Sequence, residues 1–269
     1  MSSPAQGVKL SEKLGSYMKY RFLLQELIGR DLKVKYRRSV LGILWSVLNP
    51  LLMMLVITAV FSHVFKFEIE NFPVYYLTGS LIFNFVVEAT SNSLTSILNA
   101  SSLIKKVYIP KYIFPLEKCL FGFVNMLFSM IAVLMIIIIL RFRISWTFLL
   151  FPIPMLYALV FAIGLSLVLS ALYVYFRDLM HLYGVFTTAW MYLTPIIYPE
   201  SLLENMSFIK YIYKLNPMYH LVTCFRSVVM YRQVPSLEQN LICIGISLLM
   251  LVIGLLLFRK LQDRFILHI

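Results

Sequence analysis

Acidic residues are scarce in this sequence: 12 Asp and Glu stand against 24 Lys and Arg, and charged residues make up only 13% of the chain. A soluble domain carries roughly 25%. Three cysteines (Cys119, Cys224, Cys243) and four scattered histidines form no CxxC or His-rich spacing, which excludes a disulfide framework and a metal site. No Walker A, HExxH or GxSxG pattern is present, and no carboxylates pair on a polar face. A membrane-bound glycosyl or acyl transferase needs acidic or histidine groups gathered at one membrane face. Here His63, His181, His220 and His268 are dispersed. The chain therefore reads as no enzyme, and any uphill transport must draw its energy from another polypeptide. The first 40 residues lack an apolar core, so no cleavable signal peptide is expected.

What the chain has in excess is apolar residues: 61% of the total, with a mean hydropathy of +0.84. They arrive in blocks of about 20, the length that crosses a bilayer's hydrocarbon layer as a helix. The expected fold is an all-α integral membrane protein with six transmembrane helices, at about 41–65, 72–98, 112–140, 148–176, 182–198 and 241–258. A net charge of +12 does not here imply nucleic acid, because the basic residues lie between apolar blocks, where they face anionic membrane lipids. With the N-terminus inside, only Lys66, Arg141, Arg143, Lys210, Lys214, Arg226 and Arg232 fall outside. This bias predicts a multi-pass protein of the plasma or inner membrane with both termini cytoplasmic. Residues 1–40 form a cytoplasmic tail and interfacial helix, 41–260 the membrane domain, and 261–269 a cytoplasmic tail.

Several stretches depart from plain spanning helices. Residues 1–18 are polar and read as loosely attached. From Tyr20 to Tyr36, apolar residues recur at helical spacing with charge on the other side, which predicts an amphipathic helix lying in the interface. Asn49-Pro50 sits inside the first block, so a neighbour must satisfy the carbonyl that the proline frees. The second half of block two is polar (Asn84, Glu88, Thr90 to Ser93, Thr95, Ser96) and should face protein or water. Pro199 to Gln239 is too interrupted to span. It reads as two short helices, Leu202–Leu215 and Met218–Tyr231, broken at Asn216-Pro217 and dipping into the outer leaflet.

Several features invite a functional reading. Residues 101–111 contain Leu103, Ile104, Lys105, Lys106, Tyr108 and Pro110 on the inner side. They fit an interfacial loop at anionic lipids, which composition favours, or an element that docks on an ATPase. Glu88 is the acidic residue well inside a span, as a pathway group or a structural hydrogen bonder. Arg177-Asp178 reads as a structural contact. Aromatics such as Tyr75, Tyr76, Trp190, Tyr192 and Tyr198 suit an interfacial belt, or for block five a path for glycan, since ring faces meet sugar C–H surfaces.

In order along the chain stand Lys35-Tyr36-Arg37-Arg38-Ser39-Val40-Leu41-Gly42-Ile43-Leu44-Trp45 with Leu48-Asn49-Pro50-Leu51, and Leu103-Ile104-Lys105-Lys106 to Pro110. Tyr175-Phe176-Arg177-Asp178, Thr194-Pro195-Ile196-Ile197-Tyr198 and Leu215-Asn216-Pro217 follow. By these elements, covering residues 20 to 260, the chain resembles the permease subunits of type-2 ABC exporters for polysaccharides, the O-antigen, teichoic acid and capsule group. The resemblance implies a homodimer of six-helix permeases with two copies of an ABC ATPase, which itself binds ATP and Mg; no cofactor is implied in this chain. It implies that the amphipathic helix and the 101–111 loop meet the ATPase, and that the helices at 202–231 form an extracellular gate containing Asn216. It also implies a lipid-linked glycan whose pyrophosphate enters near Arg37 and Arg38, since Arg pairs well with phosphate. An exporter of another amphiphile, such as a drug or lipid, is the nearest alternative, and a passive channel without an ATPase is a further one.

Overall fold

The computed structural model describes residues 10–37, 39–63, 69–107, 109–204 and 213–268, and every regular element among them is helical. Two units divide the chain, Met1–Gly42 and Ile43–Ile269. The first holds α1, Leu10–Tyr36, with Lys33 and Lys35 in its last turn, where cations favour the helix dipole. This helix begins at Leu10, ten residues before the expected start at Tyr20. Leu10, Leu14 and Tyr17 continue the helical spacing, and no proline interrupts it. Beyond α1, Gly42 adopts φ +48 and its N–H donates to Ser39 Oγ at 3.2 Å, a left-handed turn that glycine takes without steric penalty.

The second unit contains α2 (Trp45–His63), α3 (Phe72–Leu94), α4 (Ser96–Asn99), α5 (Ser101–Ile104), α6 (Ile113–Ile139), α7 (Pro152–Tyr175) and α8 (Leu179–Tyr192). After these come α9 (Ser201–Glu204), α10 (Pro217–Val229) and α11 (Leu237–Leu261), with a 3-10 turn at Gln262–Leu267. Among the described residues, five stretches are long and apolar enough to cross a membrane: Gly42–Phe61, Phe72–Leu94, Ile113–Ile139, Trp146–Tyr175 and Leu237–Phe265. Each overlaps one expected block. The block expected at 182–198 differs. α8 has 14 residues, about 21 Å of helix, against a hydrocarbon layer of about 30 Å. Pro195 and Pro199 bring no N–H to continue it, and residues 193–200 are irregular.

α3 is the axis of this unit, with α2, α6, α7, α8 and α10 packed around it. Its buried side includes Thr90, whose hydroxyl lies 2.6 Å from the Tyr183 hydroxyl of α8, and Ser93, which donates to Pro115 O at 3.2 Å. Hydroxyls exchange hydrogen bonds between helices where water is absent. The carbonyl that Pro50 deprives of a partner is Ser46 O, four residues earlier. The Ser129 hydroxyl of α6 donates to it at 2.9 Å, so the proline of α2 is compensated from a neighbouring helix. α7 and α11 meet at glycine. A Cβ on Gly164 would lie 2.5 Å from Met250 O, and one on Gly254 would run into the Gly164 carbonyl.

The outward faces are apolar. Leu52, Met53, Leu55 and Val56 of α2, and Leu248, Leu249, Val252 and Leu256 of α11, are exposed. Apolar surface on this scale requires lipid or another subunit against it.

Candidate functional site

Three places in the second unit hold polar groups that lipid cannot cover cheaply. The first is a stripe on α3 and its continuation in α4. Asn84, Glu88, Ser91, Asn92, Thr95 and Asn99 fall within an arc of roughly 100° of the helix. Asn84, Ser91, Asn92 and Asn99 are exposed, while Glu88 and Thr95 are half-buried. The polar half of block two thus splits: Thr90, Ser93 and Ser96 turn into the protein, and this stripe turns out of it.

The second is a polar clasp at the far end of α3. Tyr75, on its first turns, has its hydroxyl 3.0 Å from Pro195 O and 2.9 Å from Tyr198 O. Arg226 of α10 is 3% exposed. Its Nη1 donates to Pro195 O at 2.7 Å and its Nη2 to Tyr75 O at 3.1 Å, while the guanidinium lies 3.5 Å from the Tyr75 ring centroid. Gly79 makes room for this, since a Cβ there would meet Nη2 at 2.5 Å. Beside it, Asn216 caps α10. Its Oδ1 accepts from Met218 N at 3.0 Å and from Trp190 Nε1 at 2.6 Å, and its Nδ2 donates to Thr194 Oγ1 at 2.9 Å and Leu193 O at 3.2 Å. Both oxygen lone pairs and both amide protons of Asn216 are therefore used. Asn before Pro at the first helical position is a strong helix start, which is why the chain breaks there.

The clasp and its neighbours serve carbonyls at the end of α8 and in the irregular backbone after it. Trp190 O accepts from Thr194 Oγ1, Leu193 O from Asn216, Pro195 O from Arg226 and Tyr75, and Tyr192 O from the Tyr198 hydroxyl. Non-helical backbone within a membrane is tolerated only when protein groups satisfy it in this way. Tyr219 donates to Glu200, and burial, then that hydrogen bond, pushes its phenol pKa up.

The third place lies at the opposite end of α3. Residues 101–107 form the short helix α5 and a turn. Leu103 and Ile104 are half-buried, and Lys105, Lys106 and Val107 are exposed. Pro110 O receives Ile113 N at 3.1 Å, starting α6. Lys111 Nζ donates to Gln262 O at 2.5 Å and sits 5.6 Å from the Phe265 ring centroid; partial burial there draws its pKa down. Tyr175 donates to Leu261 O at 2.9 Å, and Arg177 Nη2 to His268 O at 3.0 Å. The loop and the end of α7 are thereby tied to the same C-terminal turn.

Of the aromatic and polar residues expected on a glycan path, Tyr75, Trp190, Tyr198 and Asn216 meet in the clasp. Tyr76 is buried near it without joining, and the Tyr192 side chain is exposed, its carbonyl alone taking part. Glu88 belongs to the stripe. Arg37 is exposed on the first unit; Arg38 and Tyr108 lie outside the described residues, as does most of the helix expected at Leu202–Leu215. The helix expected at Met218–Tyr231 is α10. Arg226 and Gly79 were missed, although a lone Arg in the apolar run Leu221 to Val229 was a signal.

Residues 23–230 match the family described as ABC-2 type transporter. Two similar proteins share nearly full length. One, the O-antigen export system permease protein RfbA of Myxococcus xanthus, is 30% identical over 246 residues, covering 91% of this chain and 95% of that one. The other, a protein of the same name from Klebsiella pneumoniae, is 28% identical over 259 residues, covering 95% and 98%.

Proposed function

The chain belongs to the ABC-2 type transporter family, and from this premise we propose that it forms the membrane path of an ATP-driven polysaccharide exporter. The substrate on this reading is a lipid-linked glycan of the O-antigen, teichoic acid or capsule type. The stripe on α3 carries the proposal: a continuous polar arc on an otherwise buried helix needs water or a hydroxyl-rich guest beside it. Two copies of the chain would enclose that arc in a shared path. Each copy would dock on one ATPase subunit, a separate polypeptide that binds ATP and Mg.

Residues 179–198 act as the fifth of six spans. Tyr183 touches Thr90, and Tyr198 and Pro195 touch Tyr75. About 22 Å of α3 separates these two contacts at ~1.5 Å per residue. The segment thus follows α3 from one end to the other, its last part crossing as irregular backbone rather than helix. With six crossings both termini share one side, and the basic bias places that side in the cytoplasm. The clasp then lies at the outer end, where it holds α10 as a gate helix.

At the inner end, Leu103, Ile104, Lys105, Lys106, Tyr108 and Pro110 dock on the ATPase. A tagged chain expressed with its neighbouring genes should bring down a stoichiometric ATPase, and Glu at both Lys105 and Lys106 should release it. If the chain purifies alone, the docking assignment fails. Arg37 and Arg38 receive the pyrophosphate head of the lipid carrier. Gln at both should lower substrate-stimulated ATP hydrolysis with assembly intact, and unchanged stimulation removes that role.

The stripe itself is tested by Asn84→Leu with Ser91→Leu. Two lost hydrogen bonds to sugar hydroxyls, at about 1 kcal/mol each, correspond to roughly a thirtyfold drop in export rate. The measurement is the amount of polymer at the cell surface in a deletion strain complemented with the variant. Wild-type amounts would mean that the path runs elsewhere.

A further inference from the structure

Beside the clasp, at the same end of the second unit, a cavity of about 440 Å³ opens, with Tyr75 and Glu200 in its lining. Its lining includes the Glu70 and Glu200 carboxylates, Asn71 and Arg232, together with the aromatic residues Phe142 and Tyr231. Its volume lies in the range of small-molecule sites, about 300–1,000 Å³.

The chemistry of this lining selects among ligands. An apolar guest would strip water from two carboxylates and return no hydrogen bond. An anion would face two carboxylates against one guanidinium. A sugar ring suits this mixed lining: its hydroxyls donate to the carboxylates, and its C–H face lies on the Tyr231 ring.

The lining is also held in place. Glu200 receives the Tyr219 hydroxyl, and Glu70 Oε1 accepts from Asn71 Nδ2 at 3.3 Å. The Arg232 guanidinium rests 5.2 Å from the Phe142 ring centroid. Tyr231 N–H donates to Arg226 O at 2.9 Å, which pins this part of the lining to the clasp helix. Asn71 and Arg232 adopt φ 53 and 57, a left-handed backbone uncommon away from glycine. Such conformations persist where the surroundings enforce them.

We propose that this cavity is a binding site for neutral sugar units of the exported glycan, taken up as the chain leaves the membrane path. The proposal rests on the polysaccharide reading above and adds to it a site outside the path. Its place beside α10 lets an occupied cavity hold the gate helix in one position while the polymer passes.

The test uses the permease–ATPase complex in nanodiscs. The probe is the oligosaccharide released by mild acid from the surface polymer of the same cells, and binding is read by saturation-transfer NMR. Saturation should reach the sugar ring protons with the wild-type complex. Tyr231→Ala, which removes the ring face, and Glu70→Gln, which removes a charge-assisted acceptor, should each weaken binding by about tenfold. Both variants must still co-purify with the ATPase, which separates lost binding from lost folding. No transfer with wild type, or equal transfer with both variants, overturns the site. Deleting the gene distinguishes the two levels. If surface polymer disappears while the variants bind as wild type, only the cavity assignment falls. If surface polymer remains, the export reading falls and the cavity assignment with it.

Discussion

Replacing Arg226 with Met is expected to abolish surface polymer while leaving the ATPase bound. The side chain is 3% exposed and bridges α3 and the segment after α8 through Tyr75 O and Pro195 O. Met fills much of the volume, so the packing of α10 should survive, but it supplies neither donor nor positive charge over the Tyr75 ring. Losing two charge-assisted hydrogen bonds in a dry setting is worth about 3–6 kcal/mol, more than most single changes. Pro195 O would then rely on Tyr75 alone, and the irregular backbone would move. Thermal unfolding in detergent should fall by several degrees, and surface polymer should disappear. Lys at the same position keeps the charge but not the planar two-pronged geometry, so partial rescue is expected. Full export by the Met variant would show that the clasp does not control the exit.

The second large effect is expected at the α7–α11 crossing. Gly254→Val places three carbons where the Gly164 carbonyl already stands, and the nearest atoms are backbone rather than a side chain that can swing away. Small residues at such crossings let helix backbones approach closely, which supplies much of the packing energy between membrane helices. Overpacking a well-filled contact costs about 1–3 kcal/mol, and here the relief must come from moving a whole helix. The variant should be degraded or fail to form the permease–ATPase complex, read by its amount in the membrane and by co-purification. By contrast, Gly245→Val on the same helix has nothing within 4 Å of its Cβ position and should be tolerated. Equal amounts of the Gly254 variant and wild type would show that the crossing is not a fixed contact.

Much of the fold was legible because hydropathy is local. Blocks of the right length at 41–65, 72–98, 112–140, 148–176 and 241–258 each correspond to a long apolar helix. Pro50 announced that a neighbour must serve Ser46 O, though not that Ser129 would do so. Asn216-Pro217 announced a helix start, and α10 begins there. The fifth block was read too long as a helix. Its apolar run continues to Tyr198, but the helix ends at Tyr192, and groups of the clasp bond to the Leu193 and Pro195 carbonyls beyond it.

Composition and order along the chain alone settled that this is a helical membrane protein, and they marked its breaks and basic segments. Each of those properties is decided by a residue and its near neighbours: twenty apolar residues insert whatever surrounds them, and a proline lacks its N–H everywhere. The tertiary structure decided which polar groups of α3 face inward and which form the stripe, because that depends on the rotation of the helix against five others. It also brought Arg226 to Tyr75 and Lys111 to Gln262, pairs each separated by 151 positions. No local pattern encodes such a pairing; it arises when buried donors must find acceptors in a medium that offers them no water.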